Sequence, residues 1–248
     1  MKKNFSSELS PAKTAAYSAV TCALLIAVQY ALSAVPGVEC VTVVLLCASY
    51  CFGPWFGGVT GLAFSLLRCF IFGFAPAAII LYCIYFPMFG IIFGLTGRLG
   101  GELDVTKKIA VNVALAALSA AAFFAAGLDV IKISRIYKGV CDALLYTLGS
   151  LFFALIAAFD ILWIKSRGKN GERALFLFFI VTAAAMCTIC FTLLDDVISP
   201  LMLGMTFEGA LVYFYASFTA MLPQTLCTIV TVGLMFYPLT AVFGRIKR

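Results

Sequence analysis

Of the 248 residues, 64% are apolar and 11% charged, with a mean hydropathy of +1.10 and a net charge of +6, whereas an ordinary soluble domain carries about 25% charged residues. So much apolar surface is more than a soluble fold of this size can bury, and the composition specifies an integral membrane protein. The absence of histidine excludes His-based triads, zinc sites and haem ligation, and no GxxxxGK[ST] stretch supplies a phosphate loop for ATP hydrolysis.

A membrane helix needs about 20 apolar residues. In chain order, 12–34, 54–74, 77–98, 108–127, 139–164, 174–194 and 209–236 meet that length. Segment 40–52 is shorter, is bounded by Pro36-Gly37 and Gly53-Pro54, and reads as a short, tilted or re-entrant span. The start, Met-Lys-Lys then polar residues to Ser10, has no small-residue cleavage site after the first span, which is therefore expected to be a retained helix. Pro200 marks a loop, and Pro223 should kink the last span. Most cysteines fall inside the apolar runs, where a thiol packs as a small hydrophobe. The Cys187-x-x-Cys190 pair lacks the strand–helix context of a redox motif and reads the same way.

Basic residues retained on the cytoplasmic side decide the topology. With eight spans and both ends inside, most of the 17 basic residues are cytoplasmic, among them Lys13, Arg98, Lys165, Arg173 and Lys247. The outer loops then hold Glu39, Asp129, Asp195, Asp196 and Glu208; seven spans would destroy this partition. One loop, 128–138, carries Lys132, Arg135 and Lys138 on the outside. It reads as an interfacial loop resting on Ile131, Ile133, Ile136 and Tyr137, or as a cationic lid for anionic solutes.

The first span repeats Ala15, Ala19, Ala23, Ala27 and Ala31 at every fourth position, beside Ala12 and Ala16. Such a strip lets a second helix backbone approach closely, either within the chain or on a partner. Gly53, Gly57 and Gly61, and Gly90 with Gly94, repeat the spacing and are expected at internal contacts.

Polar groups at membrane depth are costly and mark candidate sites. Arg68 in the third span, Tyr82 and Tyr85 in the fourth, Asp195 and Asp196 ending the seventh, Tyr213 and Tyr215 in the last, and Glu39 share the outer half; Gln224 lies deeper. Together they form a candidate outward-facing substrate site of aromatic walls and a few polar contacts. The simpler alternatives are an ion pair of Arg68 with Asp195 or Asp196, snorkelling, and an interfacial tyrosine belt. Arg68 argues for an anionic group on the solute and the tyrosines for a flat ring. Asp142 and Asp160, near the ends of the sixth span, are expected at the interfaces. No catalytic constellation, metal cluster or cofactor motif is apparent.

The stretch VPGVECVTVVLLCASYCFGPWFGGVTGLAFSLL (Val35 to Leu67), after the alanine-striped helix, resembles the S components of energy-coupling factor (ECF) transporters. FTLLDDVISPLMLG (Phe191 to Gly204), the PQTL at 223–226 and a final FYPLTAVF fit the same pattern, so the similarity covers about two-thirds of the chain. The resemblance implies a small subunit of the bacterial cytoplasmic membrane that captures a vitamin-type micronutrient at its outer surface. It implies partners too: a membrane coupling subunit driven by two ATPases, contacted through an AxxxA strip that matches Ala15, Ala19 and Ala23. S components have six spans, so the fold expected is an all-α membrane bundle of about eight spans, a six-span core plus two extra helices. Within one integral membrane domain, 1–100 would carry four spans, 101–170 the inserted pair and 171–248 the last two. The alternatives are a self-sufficient secondary transporter or channel, against which no inverted repeat is visible, and a membrane enzyme or assembly subunit.

Overall fold

The computed structural model describes residues 10–34, 40–73, 75–98, 105–127, 135–165 and 169–247. Among these residues eight helices follow one another: α1 (Pro11–Leu32), α2 (Val41–Phe52), α3 (Pro54–Phe72), α4 (Pro76–Arg98), α5 (Val105–Gly127), α6 (Arg135–Lys165), α7 (Lys169–Met202) and α8 (Phe207–Ile246). Seven are long and apolar enough to cross a bilayer, so the chain is a multi-pass helical membrane protein. The eighth, α2, has 12 residues, about 18 Å of helix against a hydrocarbon core of about 30 Å. Val43, Leu45, Leu46, Cys47 and Ala48 on α2 are all fully buried, so it is a core helix, apolar on every side.

By internal contacts the chain divides into two units. The first comprises α1 to α4 and α8 from Cys227 onward; the second comprises α5 to α7 and α8 up to Leu226.

In the first unit, a single residue separates α2 from α3. Gly53, at φ +104°, donates its N–H to the Ser49 carbonyl and accepts from Gly57 N–H at 3.0 Å, so it closes one helix and opens the next. Only glycine adopts that φ without strain, and Pro54 then starts α3 where a missing N–H costs nothing. The expected glycine contacts form between α3 and α4. A Cβ on Gly57 would strike the Gly90 carbonyl, one on Gly61 the Phe86 carbonyl, and one on Gly94 the backbone of Pro54. Helix α1 packs on α3 through Ser18 Oγ and Thr60 Oγ1, 2.8 Å apart, and Cys22 Sγ, which donates to the Thr60 carbonyl. The last half of α8 packs on α2: the Cys47 and Cys51 thiols donate to the Phe236 and Thr240 carbonyls, and the Tyr50 and Phe236 rings meet edge-on. Lys247 Nζ donates to the Cys51 carbonyl at 3.0 Å, capping the negative end of α2. Burial holds that ammonium below its ordinary pKa; the Arg98 guanidinium acts in the same sense and the Cys51 thiol against it.

In the second unit, Leu115, Cys141, Leu145, Phe152, Phe159, Leu175, Phe218 and Met221 form the core. Polar bonds join α5 and α6: Asn112 Nδ2 donates to Asp160 Oδ1 at 2.6 Å and Ser119 Oγ to the Gly149 carbonyl at 2.9 Å. Asp160 is thus a bonded partner within the helix pair. Asp142 is half-buried, with one carboxylate oxygen shielded and unbonded.

Three expectations are corrected here. Pro200 does not mark a loop, because α7 continues to Met202. The stop is Gly204 at φ +62°: Met205 N–H bonds the Pro200 carbonyl and Gly204 N–H the Leu201 carbonyl, a Schellman closure. Pro200 sits in the last turn, where one lost bond does not end a helix of 34 residues. Part of the expected loop 128–138 is helical, since α6 begins at Arg135; Ile131, Lys132 and Ile133 lie outside the described residues. Helix α8 also runs on through Pro223 to Ile246, well past the expected end at 236.

Candidate functional site

The candidate site residues fall into two groups, one in each unit; Glu39 lies outside the described residues.

The group in the first unit is built on α3 and α4. The Arg68 guanidinium lies 3.9 Å from the centroid of the Tyr82 ring and 5.7 Å from that of Phe72. The half-buried guanidinium is attracted electrostatically by the ring face. Tyr82 is fixed in turn, its ring tilted against Phe86 and its carbonyl accepting from Ser65 Oγ at 2.7 Å. Tyr85 is buried, with its ring against Phe86 and Phe89. Arg68 and Tyr82 thus meet, and Phe72, which sequence reasoning missed, lies on the same guanidinium.

The group in the second unit joins the end of α7 to the start of α8. Asp195 Oδ1 accepts from Ser199 Oγ at 2.6 Å, and Oδ2 from the Tyr213 hydroxyl at 2.8 Å. Asp196 Oδ2 accepts from Ser217 Oγ at 2.8 Å, while its Oδ1 is shielded from solvent and has no hydrogen-bond partner. Ser199 and Ser217 were missed, although the spacing announces both. Ser199 is four residues after Asp195 and Ser217 four after Tyr213, so each pair shares a helix face. Tyr215, two residues from both Tyr213 and Ser217 and so on the opposite side of α8, is buried against Phe214 and Phe218. Gln224 is half-buried two turns further along α8.

The alanine strip has a definite direction. Ala12, Ala15, Ala16, Ala19, Ala23, Ala27 and Ala31 are all exposed, while Ser18, Thr21, Cys22 and Leu25 form the packed face of α1. Cys187 and Cys190 are free thiols, the first half-buried and the second exposed.

The first unit's group offers a guanidinium held against aromatic rings, and the second unit's group two carboxylates bonded by hydroxyl donors. Comparison with known proteins finds no matching family model, no matching curated protein and no matching solved structure.

Proposed function

We propose that this multi-pass membrane protein is the substrate-capture subunit of an ATP-driven micronutrient uptake transporter. It holds its substrate near the outer face and docks through α1 on a membrane coupling subunit served by two ATPases. The observation that carries the reading is the exposure of Ala15, Ala19 and Ala23 together with their neighbours on the strip. In lipid, helices associate by close packing of small side chains, and a strip of seven alanines left uncovered by the chain's own helices suits a partner helix. The missing phosphate loop fits a subunit whose energy comes from elsewhere, and the resemblance of Val35 to Leu67 to S components agrees.

The test is co-purification. The tagged protein, expressed with its host's coupling subunit and ATPases, is expected to bring them through gentle solubilisation. Ala19→Trp should abolish that recovery and leave the melting temperature within about 1 °C of wild type, because an exposed position tolerates bulk. Recovery of the protein alone from cells that contain the module, or an undiminished complex with Ala19→Trp, would overturn the reading.

A second reading, a self-sufficient secondary transporter, is favoured by one observation: the buried carboxylate of Asp196 within a membrane helix. It requires gradient-driven uptake by the purified protein in proteoliposomes without ATPases.

A further inference from the structure

Asp196 is 8% exposed, and of its two carboxylate oxygens only Oδ2 is matched, by Ser217. Oδ1 is shielded and bonded to nothing. Its neighbour Asp195 has both oxygens engaged, by Ser199 and by Tyr213. Pro200 adds to the asymmetry: four residues after Asp196, it has no N–H to return to the Asp196 carbonyl. An ionised carboxylate in apolar surroundings is retained only when it is paired or liganded. The groups bonded to this acid pair are all hydroxyls, which donate hydrogen bonds and bring no charge.

We propose that Asp196 seats a positively charged nitrogen of the captured solute, an ammonium, amidinium or protonated ring nitrogen whose N–H donates to Oδ1. The inference rests on the capture reading above and names the chemistry of its substrate. A bare hard cation fits less well, since it takes about six or more oxygens and the other side-chain oxygens of the cluster are already bonded to one another. Among the described residues no group of three or more His, Cys, Asp or Glu side chains stands ready for a metal. A neutral amide would match the lone pair and leave the charge uncompensated. The anionic solute expected from Arg68 loses its main support, because that guanidinium is already stacked on Tyr82 and Phe72.

The full chain in lipid nanodiscs, unfolded thermally with four probes at equal millimolar concentration, tests this. The probes are benzamidinium chloride, neutral benzamide, sodium benzoate and sodium chloride. Benzamidinium is expected to raise the unfolding midpoint by about 3 °C or more, the other three by less than about 1 °C. Asp196→Asn, equal in shape and without the charge, should abolish the benzamidinium shift. Glu208→Gln, which removes an exposed carboxylate outside the cluster, should retain it. A shift that survives Asp196→Asn, an equal shift with benzamide or benzoate, a shift with sodium chloride alone, or no shift at all would overturn the inference. Co-purification tests the capture reading separately. Recovery of the coupling module without a benzamidinium response would therefore remove this inference alone, and loss of both would remove both.

Discussion

The two units hold their helices together by different means. In the first, backbones touch: α3 and α4 approach so closely at Gly57, Gly61, Gly90 and Gly94 that a single methyl group would meet main-chain atoms. The described residues of that unit include no Asp or Glu. In the second, side-chain bonds that include carboxylates join the helices: Asp160 with Asn112, Asp195 with Tyr213, Asp196 with Ser217. Lipid supplies no hydrophobic force between helices, so either close packing or interhelical hydrogen bonds must supply the attraction. Both units use interhelical hydrogen bonds, but among the described residues the first adds glycine-mediated backbone contact while the second adds carboxylates. A backbone contact leaves no room for a ligand, whereas a polar bridge with an unmatched oxygen leaves a hydrogen bond still to be made.

The sharpest way to break this contrast is to add one methyl group to each kind of contact. Gly90→Ala in the first unit should cost about 3 kcal/mol, because its Cβ meets the Gly57 carbonyl and backbone cannot yield. Gly149→Ala in the second should lie within about 1 kcal/mol of wild type. There the atoms nearest the added Cβ belong to the ring of Phe123, at 3.1 Å, a side chain 39% exposed that can yield where backbone cannot. Denaturation of both variants in matched detergent checks the difference, and equal losses would dissolve the distinction.

A smaller effect separates the two neighbouring acids. Asp195→Asn weakens two charge-assisted hydrogen bonds and should destabilise the ligand-free protein by about 2 kcal/mol. Asp196→Asn removes an uncompensated buried charge and should leave the ligand-free protein as stable as wild type or more so. In the same nanodiscs the melting temperature is expected to fall for Asp195→Asn and to hold or rise for Asp196→Asn. Smallest of all, Asn112→Ala should loosen α5 from α6 by about 0.6 kcal/mol, the average worth of a hydrogen bond between membrane helices. Hydrogen exchange along the two helices would locate the loss.

Much of this architecture is written in the sequence, with instructive gaps. Hydropathy marks the seven long helices, because the bilayer imposes one length on every span. It misses where α7 and α8 end, since a window average registers apolar content and not backbone bonding; the stop after α7 is set by Gly204 and not by Pro200. The four-residue period of the first span predicts a smooth strip but not its direction. That is decided by Ser18 and Cys22, which bind Thr60 and turn the opposite face of α1 inward. In the candidate site, the two serines were readable from their spacing. The division of labour between Asp195 and Asp196 was not, because adjacent residues lie about 100° apart around a helix and only the packed neighbours determine which is buried.

One feature of α8 bears on how the protein is made. The first unit is discontinuous in the chain, its last portion being the part of α8 from Cys227 onward. The carbonyls that Cys47 and Cys51 bond lie 189 residues downstream of them, and synthesis at about 5–20 residues per second delivers them roughly 10 to 40 s later. Throughout that interval α2 is a short apolar helix without its final neighbour, while the whole of the second unit is being inserted. Biogenesis of the earliest-synthesised unit therefore finishes last, and a nascent chain truncated before Cys227 would expose α2 as a signal for quality control.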